Sequence, residues 1–334
     1  MNTEEIIKKC TEFPEVSFKS GPNNILLILN HPHGTGSMNL YQIFPGISIA
    51  YISINSDLWP APDLSKTKNS SIKNPLLLNY CISGRCELLL DNNTFVYLKN
   101  GDFSITTQCA QKDYTYPTKY YEGIEFFIDI DLISSTASYI NDIFKIDIAN
   151  FINIYCSSQN IYISKCTENI ATLLMEMWNL YNGKNLNDIF TIQILTLRLL
   201  KILSVKENMP KQKSCTFFTS TQVKIAQKTQ EIITSDLSQH HPAWQLAELF
   251  SISETSLKNY FRGVYGENIS VYLRKMRMKK ASEMLENTRL PISKIAEQVG
   301  YMNQSKFASV FKLHFNISPL EYRRQKAIEH IKSV

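Results

Sequence analysis

The sequence predicts an α+β chain: a barrel or sandwich of short strands with a helical segment, then an all-α domain with two helix-turn-helix units joined by a long helix. Three observations carry that expectation. Short β-branched and aromatic runs, divided by Pro, Gly and Asn clusters, fill the stretch from about Asn24 to Ile130. Helical periodicity takes over in the segment that begins at Cys166, and again from Thr219 to the end. Within that last stretch one apolar pattern occurs twice, about fifty residues apart.

A chain of 334 residues accommodates two domains, each with its own core. Its 44% hydrophobic and 19% charged residues fit a globular protein, and the longest apolar runs, such as "ILLIL" at 25–29, fall far short of a membrane span. The N-terminal "MNTEEIIKKC" has no apolar core of a secretory leader, so a cytoplasmic protein is expected. Seven scattered cysteines, at 10, 81, 86, 109, 156, 166 and 215, give neither a disulfide framework nor zinc-site spacing. Cys81 and Cys86, five residues apart on one predicted strand, are expected on opposite faces. Charge is uneven: residues 219–334 hold 17 Lys and Arg against 10 Asp and Glu, whereas 1–218 hold 18 against 20. The basic excess belongs to the C-terminal third and points weakly to a polyanion.

The predicted strands are "NILLILN", "LYQIFPGISIAYISI", "PLLLNYCISGRCELLL", "TFVYLKNGDFSITT" and "GIEFFIDI", with turns at "SGR", "DNN" and "KNGD". After a less regular stretch come two helices, "CTENIATLLMEMWNLYNG" and "NLNDIFTIQILTLRLLKILSVKE". In the second, Leu186, Ile189, Ile192, Thr196, Leu199 and Leu203 form one apolar stripe, while Ile194, Leu195 and Leu197 lie off it. A helix apolar on more than one side needs two covers, which suggests a homodimer through 166–209. "PKQKSCTFF" at 210–218 reads as a linker between the region 1–165 with its helical hairpin, 166–209, and the domain 219–334.

In the repeat, Leu246, Ala247 and Glu248 return as Ile295, Ala296 and Glu297. One residue later in register, Leu257, Phe261, Tyr265, Gly266 and Tyr272 return as Phe307, Phe311, Phe315, Asn316 and Tyr322. Each copy reads as a short helix, a tight turn and a second helix, about 243–265 and 291–315. Ser253 and Asn303 are the expected N-caps of the second helices, and Gly266 and Asn316 their left-handed ends. The run between the copies predicts a helix of about 18 residues, roughly 27 Å, a length suited to two reading helices one DNA turn apart. Arg277 interrupts the otherwise apolar row Ile269, Leu273, Ala281, Leu285, so its guanidinium is expected to pair inside the domain rather than with DNA.

The run from "LAELFSISETSLKNYFRGVYGENISVYLRKMRMKKASEML" to "PISKIAEQVGYMNQSKFASVFKLHFNISPLEYRR" closely resembles the AraC/XylS family of bacterial transcription regulators over roughly 100 residues. The resemblance implies that the second helix of each unit enters the major groove. Thr255, Lys258 and Asn259 would then face bases from the first unit, and Gln304, Ser305 and Ser309 from the second. Arg262, Lys306, Lys312, Arg323 and Arg324 are the candidate phosphate contacts. Asn316 stands where family members commonly have glycine; asparagine also tolerates the left-handed conformation.

The N-terminal strands are similar to the cupin-like effector domain of the same family, which implies an unknown small-molecule effector, with Phe44, Tyr51, Tyr80 and Phe103 as weak candidate contacts. His31 and His33 form an HxH pair, but no third ligand follows at cupin spacing, so no metal is expected. No GxSxG, phosphate loop or HExxH is present, and neither catalysis nor a cofactor is expected. The competing readings are a cupin-type metalloenzyme with a DNA-binding tail, and a regulator controlled by a protein partner. Promoter DNA and RNA polymerase are the partners that the resemblance implies.

Overall fold

Alternating β-branched and aromatic residues in the first half give an antiparallel sheet whose two faces are both buried. The computed structural model describes residues 15–21, 23–31, 34–59, 75–90, 93–107, 114–156, 161–183, 189–205 and 216–332. The chain divides into two compact units, Met1–Phe217 and Phe218–Val334. Cys10, Cys109, Cys215, His33, Leu186 and most of the expected linker lie outside the described residues.

In the first unit the strands are β1 (Val16–Ser20), β2 (Asn24–His31), β3 (Gly34–Phe44), β4 (Ile47–Asn55), β5 (Leu58–Trp59), β6 (Pro75–Leu89), β7 (Thr94–Lys99), β8 (Asp102–Thr106), β9 (Tyr114–Thr115), β10 (Tyr121–Asp129) and β11 (Ile161–Lys165). The main sheet runs β1-β2-β3-β4-β10-β6. Strand β6 pairs with β8 through Leu77–Tyr80 and with β7 through Arg85–Leu89, and β8 pairs in turn with β11. Strands β1 and β11, and much of β3, extend beyond the predicted runs.

Where "SGR" predicts a turn, β6 continues through it. The register against β10 pairs Glu122 with Ser83 but Gly123 with Cys81, so Ile82 is an extra residue. Gly84 sits at φ +79°, where a Cβ would lie 1.9 Å from the Tyr120 carbonyl oxygen. This bulge shifts side-chain parity by one. Cys81 and Cys86 therefore join the same core cluster, 0% and 1% exposed, and not opposite faces.

One face of the sheet packs against helices α1 (Ile130–Thr136), α2 (Tyr139–Phe144), α3 (Glu168–Asn182) and α4 (Ile189–Leu203). Helix α1 and α2 occupy the stretch that reads as irregular in sequence. On α4, Leu195 is buried along with Ile192, Thr196, Leu199, Leu200 and Leu203, so it belongs to the stripe. Ile194 is 48% and Phe190 66% exposed, leaving an apolar strip outside. The other face forms a second cluster, which draws Val16 from β1 and Ile161 and Ile163 from β11, the two ends of the strand order.

The four proposed effector contacts fall under the helices. Tyr51, Tyr80 and Phe103 belong to the helix-covered core and Phe44 packs against it. Tyr51 stacks on Tyr181 of α3, ring centroids 4.4 Å apart at 1°, and Trp178 lies 6.2 Å away. These large rings pack against helix side chains.

The second unit is helical: α5 (Ser220–Ser235), α6 (Ala243–Leu249), α7 (Glu254–Tyr265), α8 (Ile269–Asn287), α9 (Ile292–Gln298), α10 (Gln304–Phe315) and α11 (Pro319–Lys332). A capping box of Thr219 and Gln222 starts α5. The 19 residues of α8 span about 28 Å at 1.5 Å each. Tyr272 in its first half packs on Phe261, 5.4 Å between centroids. Met278, Ala281 and Leu285 in its second half join Ile295, Ala296, Val299, Phe307 and Phe311.

Candidate nucleic-acid interface

Both turns of the repeat close with the same backbone bonds. In the first, Ile252 N–H donates to the Ala247 carbonyl (3.2 Å) and Ser251 N–H to Glu248 (3.0 Å). In the second, Tyr301 donates to Ala296 (2.8 Å) and Gly300 to Glu297 (3.0 Å). Ser251 and Gly300 are both left-handed, at φ 53° and 82°. The second helices then start on the expected caps: Ser253 Oγ accepts from Ser256 N–H (3.1 Å) and Asn303 Oδ1 from Lys306 N–H (3.0 Å). Gly266 and Asn316 end them at φ 82° and 63°.

The cores repeat as closely. Phe261–Tyr265, Phe261–Tyr272 and Tyr265–Tyr272 have ring centroids 4.6, 5.4 and 5.1 Å apart. Phe311–Phe315, Phe311–Tyr322 and Phe315–Tyr322 are at 4.5, 5.4 and 5.1 Å. Two copies of one supersecondary unit therefore present α7 and α10 in the same local way.

With Leu257, Phe261, Val264 and Tyr265 buried on α7, the opposite side exposes Thr255, Lys258, Asn259 and Arg262. On α10, Phe307 and Phe311 are buried and Gln304, Ser305, Lys306, Ser309 and Lys312 are exposed. Each set is brought to one helical face by its three- and four-residue spacing. Lys258 pairs with Glu254 one turn earlier, so a base or phosphate contact exchanges that partner. Ser309 Oγ donates to the Ser305 carbonyl (3.0 Å), leaving its lone pairs as outward acceptors. Met302, just ahead of the Asn303 cap, is fully exposed at 102%. Its signal in the sequence is an apolar residue beside a cap and outside the helical stripe.

The phosphate candidates divide. Arg262, Lys306, Lys312 and Arg324 are exposed. Arg323 is half-buried, donating from a terminal guanidinium nitrogen to the Leu290 carbonyl (2.7 Å), which fixes α11 to the segment before α9. That bond holds one end of the Arg323 guanidinium within the second copy.

Arg277, on α8, pairs as its apolar row predicts. Its Nε donates to the Leu237 carbonyl (2.8 Å) and a terminal nitrogen to Gln239 (2.9 Å), with a longer 3.5 Å contact to Gly300. The guanidinium also lies 5.8 Å from the Tyr301 ring centroid. Asp236 holds the receiving loop: its carboxylate accepts from Ser238 N–H (2.9 Å), Ser238 Oγ (2.6 Å) and Gln239 Nε2 (3.0 Å). These bonds keep the Asp236 carboxyl below its ordinary range. Gly300 is the counterpart of Ser251, and here glycine is required twice. Besides its positive φ, a Cβ would lie 2.6 Å from the Arg277 guanidinium. Arg277 thus joins the loop after α5 to the turn of the second unit.

Arg277→Ala removes the side-chain donor to the Leu237 and Gln239 carbonyls, and an expected loss of about 1–3 kcal/mol follows. Arg277→Lys should recover little of it, because one ammonium cannot span the fork. Thermal unfolding of both variants checks this; full recovery by lysine would refute the clamp.

The family model described as a helix-turn-helix domain matches residues 246–325, both copies of the repeat. The lactose operon transcription activator of Staphylococcus xylosus is 29% identical over 167 residues, 49% of this chain and 57% of that protein. The RCS-specific HTH-type transcriptional activator RclR of Escherichia coli K12 is 37% identical over 86 residues, 25% of this chain and 30% of its own. The chain thus spans little more than half, or less, of the curated relatives it matches. Among solved structures, the C-terminal domain of AraT from Geobacillus stearothermophilus is 35% identical, covering 30% of this chain and 84% of that one, with a TM-score of 0.29. Residues 246–325 thus form an AraC-type helix-turn-helix domain, similar to those of AraC/XylS-family transcription regulators.

Proposed function

We propose that the protein is a sequence-specific transcription regulator that reads two adjacent major-groove segments with α7 and α10. The observation that carries this is the duplicated turn-and-cap geometry, which offers two uncharged or singly charged polar faces flanked by basic residues. Asn259 and Gln304 can each pair bidentately with adenine, Lys258 can donate to guanine, and Thr255, Ser305 and Ser309 make shorter contacts. Met302, exposed just ahead of the second cap, can meet a thymine methyl group. Arg262, Lys306, Lys312 and Arg324 supply phosphate contacts, which set register and salt dependence.

The N-terminal sheet is assigned as a cupin-like barrel that senses a small molecule. Support comes from the second core cluster, which gathers both ends of the strand order. The exposed Phe190 and Ile194 on α4 support a homodimer through the hairpin α3–α4. Two relatives are named as activators, and activation through RNA polymerase in the cytoplasm is the corresponding reading here. Among the described residues no helix is long and apolar enough to cross a membrane.

A footprint on the DNA upstream of its own gene should show two protected major-groove segments about one turn apart per monomer. Asn259→Ala is expected to weaken binding by about 1–3 kcal/mol at one segment only. Equal loss on specific and random DNA would refute base reading by Asn259.

A further inference from the structure

The second face of the N-terminal sheet is apolar at its rim and polar at its centre. Strand register lays out one row across it: Ile25, Leu40, Ala50, Glu125, Asn79, Ser104 and Ile163. Glu125 and Ser104 are 5% and 1% exposed. Small neighbours flank the carboxyl, Ala50 beside it on β4 and Gly123 two residues earlier on its own strand. Asn79 Oδ1 accepts from the Tyr121 hydroxyl (2.7 Å), so its amide N–H is left to donate to the Glu125 carboxyl. Tyr121 and Tyr116 set two rings beside the same cluster, centroids 5.2 Å apart.

A carboxyl taken wholly out of water needs a cation or it keeps its proton. Among the described residues its hydrogen-bond partner is the neutral Asn79, and burial pushes it up to about 7. Among the described residues, the ionisable groups that face it are the Cys86 thiol and the Tyr116 and Tyr121 hydroxyls, all pushed up by burial themselves. None of these can balance a carboxylate. A buried acid beside two aromatic rings is the chemistry that receives an ammonium group, one by charge and the others by their π faces.

We propose that this face of the sheet binds a small organic cation, an amine of a few carbons, with its charge on Glu125 and its stem against Tyr116 and Tyr121. The assignment rests on reading the N-terminal unit as the sensor. Binding exchanges the Glu125 proton for the ligand's charge. Below pH 7 affinity therefore falls by about tenfold per pH unit, and above pH 7 it levels off.

The test is calorimetric titration of the full chain with methylammonium, n-butylammonium and choline chlorides, against sodium chloride and n-butanol. Expected are binding of at least one amine, no binding of butanol, and release of close to one proton at pH 6, read from buffers of different ionisation enthalpy. Glu125→Gln, checked for a cooperative melt, should lose that amine. Absence of amine binding at 50 mM, butanol binding as tightly, or binding without proton release each overturns the proposal. DNA binding is followed separately by anisotropy: intact DNA binding with no amine effect removes the ligand and leaves the regulator. Amine binding without DNA binding does the reverse.

Discussion

Phe311→Ala is expected to lower the stability of the C-terminal unit by about 3–5 kcal/mol, moving its thermal midpoint down by roughly 15 °C or more. The ring is fully buried and touches Phe307, Phe315 and Tyr322, at 5.7, 4.5 and 5.4 Å between centroids, so its removal opens a cavity at the centre of the second copy. Phe261→Ala, the same ring in the first copy, should cost a similar amount. Leu313, one helical step aside but 79% exposed, provides the comparison: Leu313→Ala should fall within about 0.5 kcal/mol of the parent. Differential scanning calorimetry of the three variants measures this. Phe311→Ala melting with Leu313→Ala would mean that the aromatic triad is not the core of the unit.

The second large effect is one of pH. Glu125 has its carboxyl at about 7 in the fold, against an ordinary 4.5, because it is buried. Between those values the unfolded chain has released the proton that the folded chain still holds. Stability from this group is therefore complete below about pH 4.5, declines through the window, and stays lower above pH 7 by about 3 kcal/mol. Glu125→Gln removes the titration. The stability difference between parent and variant should shift in the variant's favour by about that amount from pH 4.5 to pH 8. Urea unfolding at a series of pH values reads it directly, and parallel curves would show that the carboxyl is solvated.

The C-terminal unit was legible in the sequence because each of its devices is local. A cap, a left-handed end and an i, i+4 aromatic pair lie within a few residues of one another, and the duplication states them twice. Even Arg277 announced itself, as one charge in an apolar row, although its acceptors at Leu237 and Gln239 are forty residues away and could not be named. The sheet was less legible because faces depend on register. One extra residue at Ile82 reversed the parity of β6 beyond it and brought Cys86 to the side of Cys81. The cover over Tyr51, Tyr80 and Phe103 is not local either, because the helices that form it come from 130–203, far along the chain. Glu125 carried its own signal, an acid between apolar residues in "GIEFFIDI", but its burial depends on β4 and β6 lying on either side.

Met278, Ala281 and Leu285 reach the second core only because α8 is continuous with the half that holds Tyr272 in the first. Adding or deleting one residue in α8 would rotate its far half by about 100° and pull those side chains out of place. If α7 and α10 read DNA as proposed, the distance between the two DNA segments is therefore a constant, locked by the same residues that keep the unit folded. The exposed faces of α7 and α10 carry no such burden. Among descendants of this chain, operator sequences can drift base by base while the interval between their two halves stays where it is.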